Sequence, residues 1–156
     1  VVPHTPLKVL SDIQLFEKAY ACESSLLRLH QIMGDTANPI TLILYKKTKP
    51  ANLIFDALAP LSENTKIIIL IDDENEDDLK NLYMIVWRVV NNIDAGRDIY
   101  MNYGFIGVDA SNKNAMDGYE REWPGDVLCT KSVLESLEKR NIIEWDESLN
   151  TKWQLS

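Results

Sequence analysis

Carboxylates crowd the end of one short apolar run. Lys66–Ile71 reads Lys-Ile-Ile-Ile-Leu-Ile, and Asp72, Asp73, Glu74 and Glu76 stop it. In open α/β sheets, ligands collect at the carboxyl ends of strands. Paired carboxylates such as Asp72 and Asp73 could hold Mg²⁺ there through oxygen ligands. The plainer reading is that they solubilise a turn and cap the next helix, and strand-end position alone favours it. Further on, Gly107-Val108-Asp109-Ala110 and Lys113 set a carboxylate and an ammonium around a turn. By residue chemistry alone Asp109 closes that turn, as Asp often does, and Lys113 sits in solvent. Joined together, Asp72, Asp73 and Asp109 would make a small Mg²⁺-dependent enzyme. His4 and His30 are the sole histidines, and neither has a Ser or Cys arranged to make a triad. No Gly-x-Gly-x-x-Gly or phosphate-loop lysine is present.

The elements that would position these groups follow from periodicity. Lys66–Ile71 has the pattern of a strand buried on both faces. Asp77 or Asp78 caps a helix whose apolar face is Leu79, Leu82, Tyr83, Val86, Val89, Val90 and Ile93. Trp87 falls beside Val86 on that face, and Arg88 either pairs with Asp94 or Glu122 or stays exposed. Arg97–Tyr103 reads as the next strand, giving a βαβ unit with a parallel sheet and a right-handed crossover. Upstream, Ser11 opens a helical pattern over Leu10–Met33, either one long helix or two broken near Cys22–Ser25. Ile40–Tyr45 is a strand, and Pro50 suits the first turn of a helix with Leu53, Ile54, Ala57, Leu58 and Leu61 on one face. Downstream, Asp126 or Thr130 caps a helix over Ser132–Lys139, and Asn141 stops it. The fold class is α/β: an open, mostly parallel three-layer sheet with helices on both faces, Rossmann-like in outline without the dinucleotide fingerprint.

Composition narrows the function classes. The chain has 156 residues, a net charge of −8, 46% hydrophobic and 26% charged residues. That suits one globular domain. We divide it into a linker over 1–10, a single domain over 11–145 and a C-terminal tail over 146–156. No basic cluster tracks a phosphate backbone, which argues against nucleic acid. No apolar run approaches the roughly 20 residues that span a bilayer. Cys22 and Cys129 lack ligand spacing and read as buried thiols of a reducing cytoplasm. Trp145 and Trp153 in the tail are aromatics of the kind that dock on a surface, here or on another subunit.

The ordered set Asp72, Asp73, Asp78, Leu79, Trp87, Arg88, Asp94, Arg97, Asp98, Gly107, Val108, Asp109, Ala110 and Lys113 resembles the C-terminal part of the UbiD-like decarboxylases. Arg121-Glu122-Trp123-Pro124 fits that family's closing segment, and the likeness covers Thr65 to Val127. Ser111 stands where the family usually has Thr. The resemblance implies an upstream catalytic flavin domain holding prenylated FMN, a divalent metal, potassium and a Glu-Arg-Glu set that nothing here matches. It implies decarboxylation of an aromatic or polyprenylated hydroxybenzoate-type acid, in one version for ubiquinone or menaquinone synthesis, by a cytoplasmic enzyme. This domain would close the active-site cleft and support a homo-oligomer. The cleft-facing candidates are then Gly107, Val108, Asp109 and Lys113, on the loop Gly104–Lys113, and the oligomer contacts Trp145 and Trp153. The rival from another class is a stand-alone acidic interaction module without catalysis.

Overall fold

A computed structural model describes residues 7–73, 78–101, 103–125, 129–144, 146, 148–149 and 152. In chain order the elements are α1 (Asp12–Cys22), β1 (Leu26–Ile32), β2 (Ile40–Tyr45), α2 (Ala51–Leu58), β3 (Ile67–Asp72), α3 (Leu82–Asn92), β4 (Ile99–Tyr100), β5 (Ile106–Asp109) and α4 (Lys131–Lys139). The five strands form one open sheet in the order β1-β2-β3-β5-β4. The central strands β2, β3 and β5 run parallel, and an antiparallel strand closes each edge. The α/β class is thus as the sequence pattern predicts.

Alternation along the central strands feeds two cores. Ile43, Tyr45, Ile68 and Leu70 point to one face, where Leu15 and Ala19 of α1 and Ile54, Phe55 and Leu58 of α2 cover them. Leu42, Leu44 and Ile71 point to the other, where Leu79, Ile85, Val89 and Ile93 pack. Period-two side chains on a strand buried on both faces give this two-sided core directly. The crossovers β2-α2-β3 and β3-α3-β5 step the same way across the sheet on opposite faces, so they cannot share one hand.

Four local expectations are corrected. Leu26–Ile32 is a strand, not the second half of a helix. Its apolar spacing fits both, and pairing with β2 from Leu26↔Tyr45 to Ile32↔Ile40 decides it. Glu23 ends α1 in extended backbone and is held by Lys49 at 2.5 Å, which turns the chain into the sheet. Arg97–Tyr103 gives only the two-residue β4, and the parallel partner of β3 is β5. The side chain of Asn81 caps α3 through the Met84 N–H, while Asp78 accepts from the Lys80 N–H. Asp77 lies outside the described residues.

The fourth correction concerns which side of α3 is inside. Met84, Ile85, Arg88 and Asn92 are its buried residues. Leu82, Tyr83, Val86 and Val90 are exposed, and Trp87 is half-buried. The longest apolar stripe therefore faces away from the sheet. Arg88 is only 2% exposed, contrary to a surface position. Both cysteines are free and half-buried. Thr130 is the N-cap residue of α4, and Asn141 follows it with φ +52°. Asp126 lies outside the described residues.

Gly107 fixes how β5 meets α2. A Cβ there would lie 2.9 Å from three atoms of the Phe55 ring, which also contacts Tyr100, Tyr103 and Phe105. Gly118 has φ +74° but open space around it. We expect Gly107→Ala to cost about 1–3 kcal/mol by overpacking and Gly118→Ala about 1 kcal/mol by backbone strain alone. Thermal unfolding of both variants checks this; equal losses would remove the steric argument at Gly107.

Candidate functional site

The carboxyl ends of β2, β3 and β5 converge on the turn that follows β5. The Ala110 N–H donates to the Leu70 carbonyl at 2.9 Å, carrying the chain past the end of the sheet. The next amide, Ser111 N–H, donates to Asp109 Oδ1 at 3.1 Å, and the Ser111 hydroxyl donates to the same oxygen at 2.5 Å. The Asn112 N–H donates to Asp72 Oδ2. Asn92, on the last turn of α3, donates to the Ala110 carbonyl at 2.9 Å and to Asn112 Oδ1 at 3.2 Å. β3 and β5 thus each spend a terminal carboxylate on a backbone N–H of the turn, and α3 adds Asn92.

Two ammonium groups brace the turn, Lys113 buried and Lys47 with its side chain nearly so. Lys113 is 1% exposed. Its Nζ meets Asp109 Oδ2 at 2.9 Å, the Asp109 carbonyl at 2.8 Å and Asp98 Oδ1 at 3.5 Å. Asp98 also accepts from the Asp94 N–H at 2.7 Å and from Arg97 Nε and Nη2 at 2.8 and 2.7 Å. Lys47, two residues past β2, meets Ser111 Oγ at 2.9 Å, the Asn112 carbonyl at 2.6 Å and Asp117 Oδ2 at 2.6 Å. Asp117 closes a 3-10 turn over Ala115–Asp117 in a capping box with Asn114. Tyr45 donates its hydroxyl to Ser111 Oγ at 3.4 Å. Burial, then the nearby Asp109 charge, raises the Tyr45 phenol far above its ordinary range, so it stays a neutral donor.

Asp98 shows the opposite balance. Burial pushes its carboxyl up, but the Arg97 hydrogen bonds, the Asp94 N–H and the charges of Lys113 and Arg97 outweigh it and hold it below the ordinary carboxylate range.

The cleft-facing candidates are therefore placed together, and their side chains point inward. Gly107, Val108, Asp109 and Lys113 are all buried. Asp109 does close the turn, as residue chemistry suggests, but Lys113 is its buried counter-ion and not a solvated residue. Asp72 is buried behind Asn112, and Asp73 sits half-buried at the rim. Among the described residues no group of three or more His, Cys, Asp or Glu is placed to hold a metal ion. Lys47 and Lys113 are each engaged by a carboxylate, so neither is left to hold a flavin phosphate. These residues do not fit a flavin. Trp145 and Trp153 lie outside the described residues. The Arg121–Pro124 segment is on the surface, with Trp123 edge-on to Tyr119 at 5.1 Å.

Lys47, Asp117 and Asn92 are the members that motif reading missed. Period two along β2 does put Lys47 on the face of Ile43 and Tyr45. Asn-x-x-Asp over Asn114–Asp117 is a legible capping box. Nothing local says that the two would meet across the turn.

No family model matches the chain. Two proteins of Helicobacter pylori, strains 26695 and J99, named only as uncharacterized, are 36% and 38% identical over 149 residues. A third, from Archaeoglobus fulgidus, is 33% identical over 102 residues. The chain spans about a quarter of these relatives, 24%, 24% and 21% of their lengths. Among solved structures, the chain resembles the UbiD-class enzyme HmfF of Pelotomaculum thermopropionicum in an evolved dimeric form with prFMN (TM-score 0.57, 19% identity, 72% of this chain and 26% of that one). It also resembles the vanillic acid decarboxylase of Sedimentibacter hydroxybenzoicus in open form (TM-score 0.61, 15% identity, 85% and 32%). A third likeness is to the 3,4-dihydroxybenzoic acid decarboxylase of Klebsiella pneumoniae (TM-score 0.51, 16% identity, 74% and 30%). The chain has the fold of a domain found in UbiD-class and related decarboxylases.

Two outcomes test the network. Lys47→Met or Asp117→Asn alone should cost about 3–5 kcal/mol, because each strands a buried charge, while the double variant should recover much of that loss. Additive losses in denaturant unfolding would contradict the pairing. The lowered carboxyl of Asp98 gives stability that is full above its unfolded value of about 3.9 and lost as pH falls toward its lower folded value. The stability gap between wild type and Asp98→Asn should therefore be constant from pH 7 to 5 and narrow below about pH 4. A gap that does not change with pH would refute the assignment.

Proposed function

We propose that this chain is the C-terminal α/β domain of a UbiD-like carboxy-lyase, acting on an aromatic or polyprenylated hydroxybenzoate-type acid. What carries the reading is the coincidence of two independent signals. The fold matches domains of decarboxylases, and the Gly107–Lys113 segment that resembles the family by sequence ends in a turn held by Asp72, Asp109, Lys47 and Lys113. Two of the neighbours act on vanillic and 3,4-dihydroxybenzoic acids by name, which supports a phenolic carboxylate as the substrate class. A role in quinone biosynthesis, where such acids are intermediates, is the version we adopt, in a cytoplasmic homo-oligomer.

In this reading prenylated FMN, its divalent metal and potassium sit in an upstream catalytic domain, and this chain supplies closure. The vanillic acid decarboxylase has been solved in an open and a closed form, which supports a moving-domain role. Excluding water from a charged intermediate is the chemical reason for such closure. Gly104–Lys113 is not one loop, because Ile106–Asp109 is β5 of the sheet, so the surface turned to the cleft would be the turn after it, around Asn112 and Asn114. Asp109 and Lys113 would act from behind it as positioning residues. Trp145 and Trp153 are the proposed tail contacts of the oligomer.

The test uses the longer polypeptide that contains this sequence, loaded with prenylated FMN. We expect CO₂ release from a panel of phenolic acids, and none from the 156-residue chain alone. Asp109→Asn and Lys113→Met should lower kcat at least about tenfold, as for misplaced closing elements, with flavin content unchanged. No CO₂ release from any acid by the flavin-loaded protein, or full activity in both variants, would overturn the proposal.

A further inference from the structure

β1 is an edge strand, and part of its outer edge is unused. The Gln31 N–H donates to Asp12 Oδ1 at 3.1 Å, so it points away from β2. N–H groups two residues apart on a strand share an edge, which turns the Leu29 N–H and C=O outward as well. Among the described residues neither has a hydrogen-bond partner. The register shifts between Leu26 and Arg28, and Leu27 stands out of the ladder with β2. A groove of about 590 Å³ runs along this edge. Ile13 and Phe16 of α1 line one side of it, and Leu79, from the core of the opposite sheet face, lines the other. Ile13 and Leu27 are 73% and 45% exposed there. Asp12 blocks the far end. Besides the Gln31 N–H, it accepts from the Gln31 side-chain amide at 3.2 Å and meets His30 Nδ1 at 2.9 Å. The edge is thus open over Leu27–Leu29 and closed beyond.

We infer that this edge seats an extended segment from the rest of the longer polypeptide, which adds a strand beside β1 to the five of the sheet. The backbone sets the class of occupant. Outward N–H and C=O groups on one strand residue are matched by another extended main chain. Ile13, Phe16 and Leu27 then seat its alternate side chains. Charge agrees with this. Arg28 and Lys80 balance Asp12 and Asp78 in the lining, so the groove favours an occupant of no net charge, as a main chain is. The length of the open edge selects the source. Asp12 limits it to about two or three main-chain hydrogen bonds, which give a free peptide about millimolar affinity. A separate peptide or a second copy would leave the edge empty at micromolar concentrations. A segment of the same polypeptide meets it at about millimolar effective concentration, and one already held extended by a folded neighbour has little ordering cost. The Helicobacter pylori relatives leave ample chain for this, since the sequence spans 24% of their lengths. The inference rests on the placing of this chain in a longer polypeptide, and not on the reaction assigned above.

Amide hydrogen exchange resolved at single residues tests it, with neither flavin nor acid present, so its outcome is independent of the CO₂ assay. Leu29 should exchange at least about tenfold more slowly in the longer polypeptide than in the 156-residue chain, as a closed hydrogen bond requires. His30, paired with Leu42 of β2, should exchange alike in both. Ile13→Asp and Leu27→Asp, at exposed positions, should each return Leu29 to the faster rate in the longer polypeptide. Where the isolated chain does not hold β1, shown by fast exchange of His30, these two variants against the wild-type polypeptide decide. Equal rates for Leu29 in chain and polypeptide overturn the inference. So does slow exchange already present in the isolated chain, which would put a segment of this chain or a second copy on the edge. Slow exchange that both variants retain overturns the groove as the seat.

Discussion

Two ammonium groups with little access to water, Lys113 buried and Lys47 nearly so, set the conditions for the rest of this structure. Both lie at the carboxyl end of the sheet. Taking such a charge out of water costs several kcal/mol unless a carboxylate and further hydrogen bonds replace the solvent. Asp117 and Asp109 provide the counter-charges, and Asp98, Ser111 and the carbonyls of Asp109 and Asn112 fill the remaining donor sites. These groups come from three segments of chain: the turn after β5, the 3-10 turn at Asp117 and the corner at Asp98. The arrangement holds only if β2, β5, the 3-10 turn and the Asp94–Asp98 corner are all in place. A turn constrained in this way has little freedom to reshape when something packs against it, which is what a closing surface needs.

Much of the framework was legible in the sequence, and the failures have definite causes. β2 and β3 are continuous aliphatic runs that only an interior strand explains. β1 carries Leu26, Leu27 and Leu29 at spacings that a helix also accepts, and only hydrogen bonding to β2 separates the two. β4 is too short for periodicity to register. α3 misleads for a physical reason. Its most apolar face looks outward, while Arg88 and Asn92 are buried, and Asn92 donates to the Ala110 carbonyl at the sheet end. The site was legible in its members Asp72, Asp109 and Lys113, and illegible in its geometry. No spacing rule foretells that Lys47 crosses to Ser111 and Asp117, about 65–70 residues away in sequence.

The inward direction of Asp109 and Lys113 changes what the resemblance to UbiD-like enzymes can mean for this chain. Side chains that bind each other in the interior do not reach a substrate. Their role is to hold the backbone and flanking residues of one turn, and catalysis in the proposed lyase would depend on them indirectly. Similar reasoning applies to α3. Its outward stripe is a cost to a lone soluble domain, and it becomes intelligible once a further surface covers it.

Amide hydrogen exchange on the longer polypeptide tests the central claim most directly, with the isolated 156-residue chain as the reference. The account predicts that the turn Ser111–Asn114 exchanges markedly more slowly in the flavin-loaded protein with a phenolic acid bound than in the isolated chain, while β2, β3 and β5 exchange alike in both. Equal exchange of that turn in the two samples would contradict its assignment to an active-site cleft.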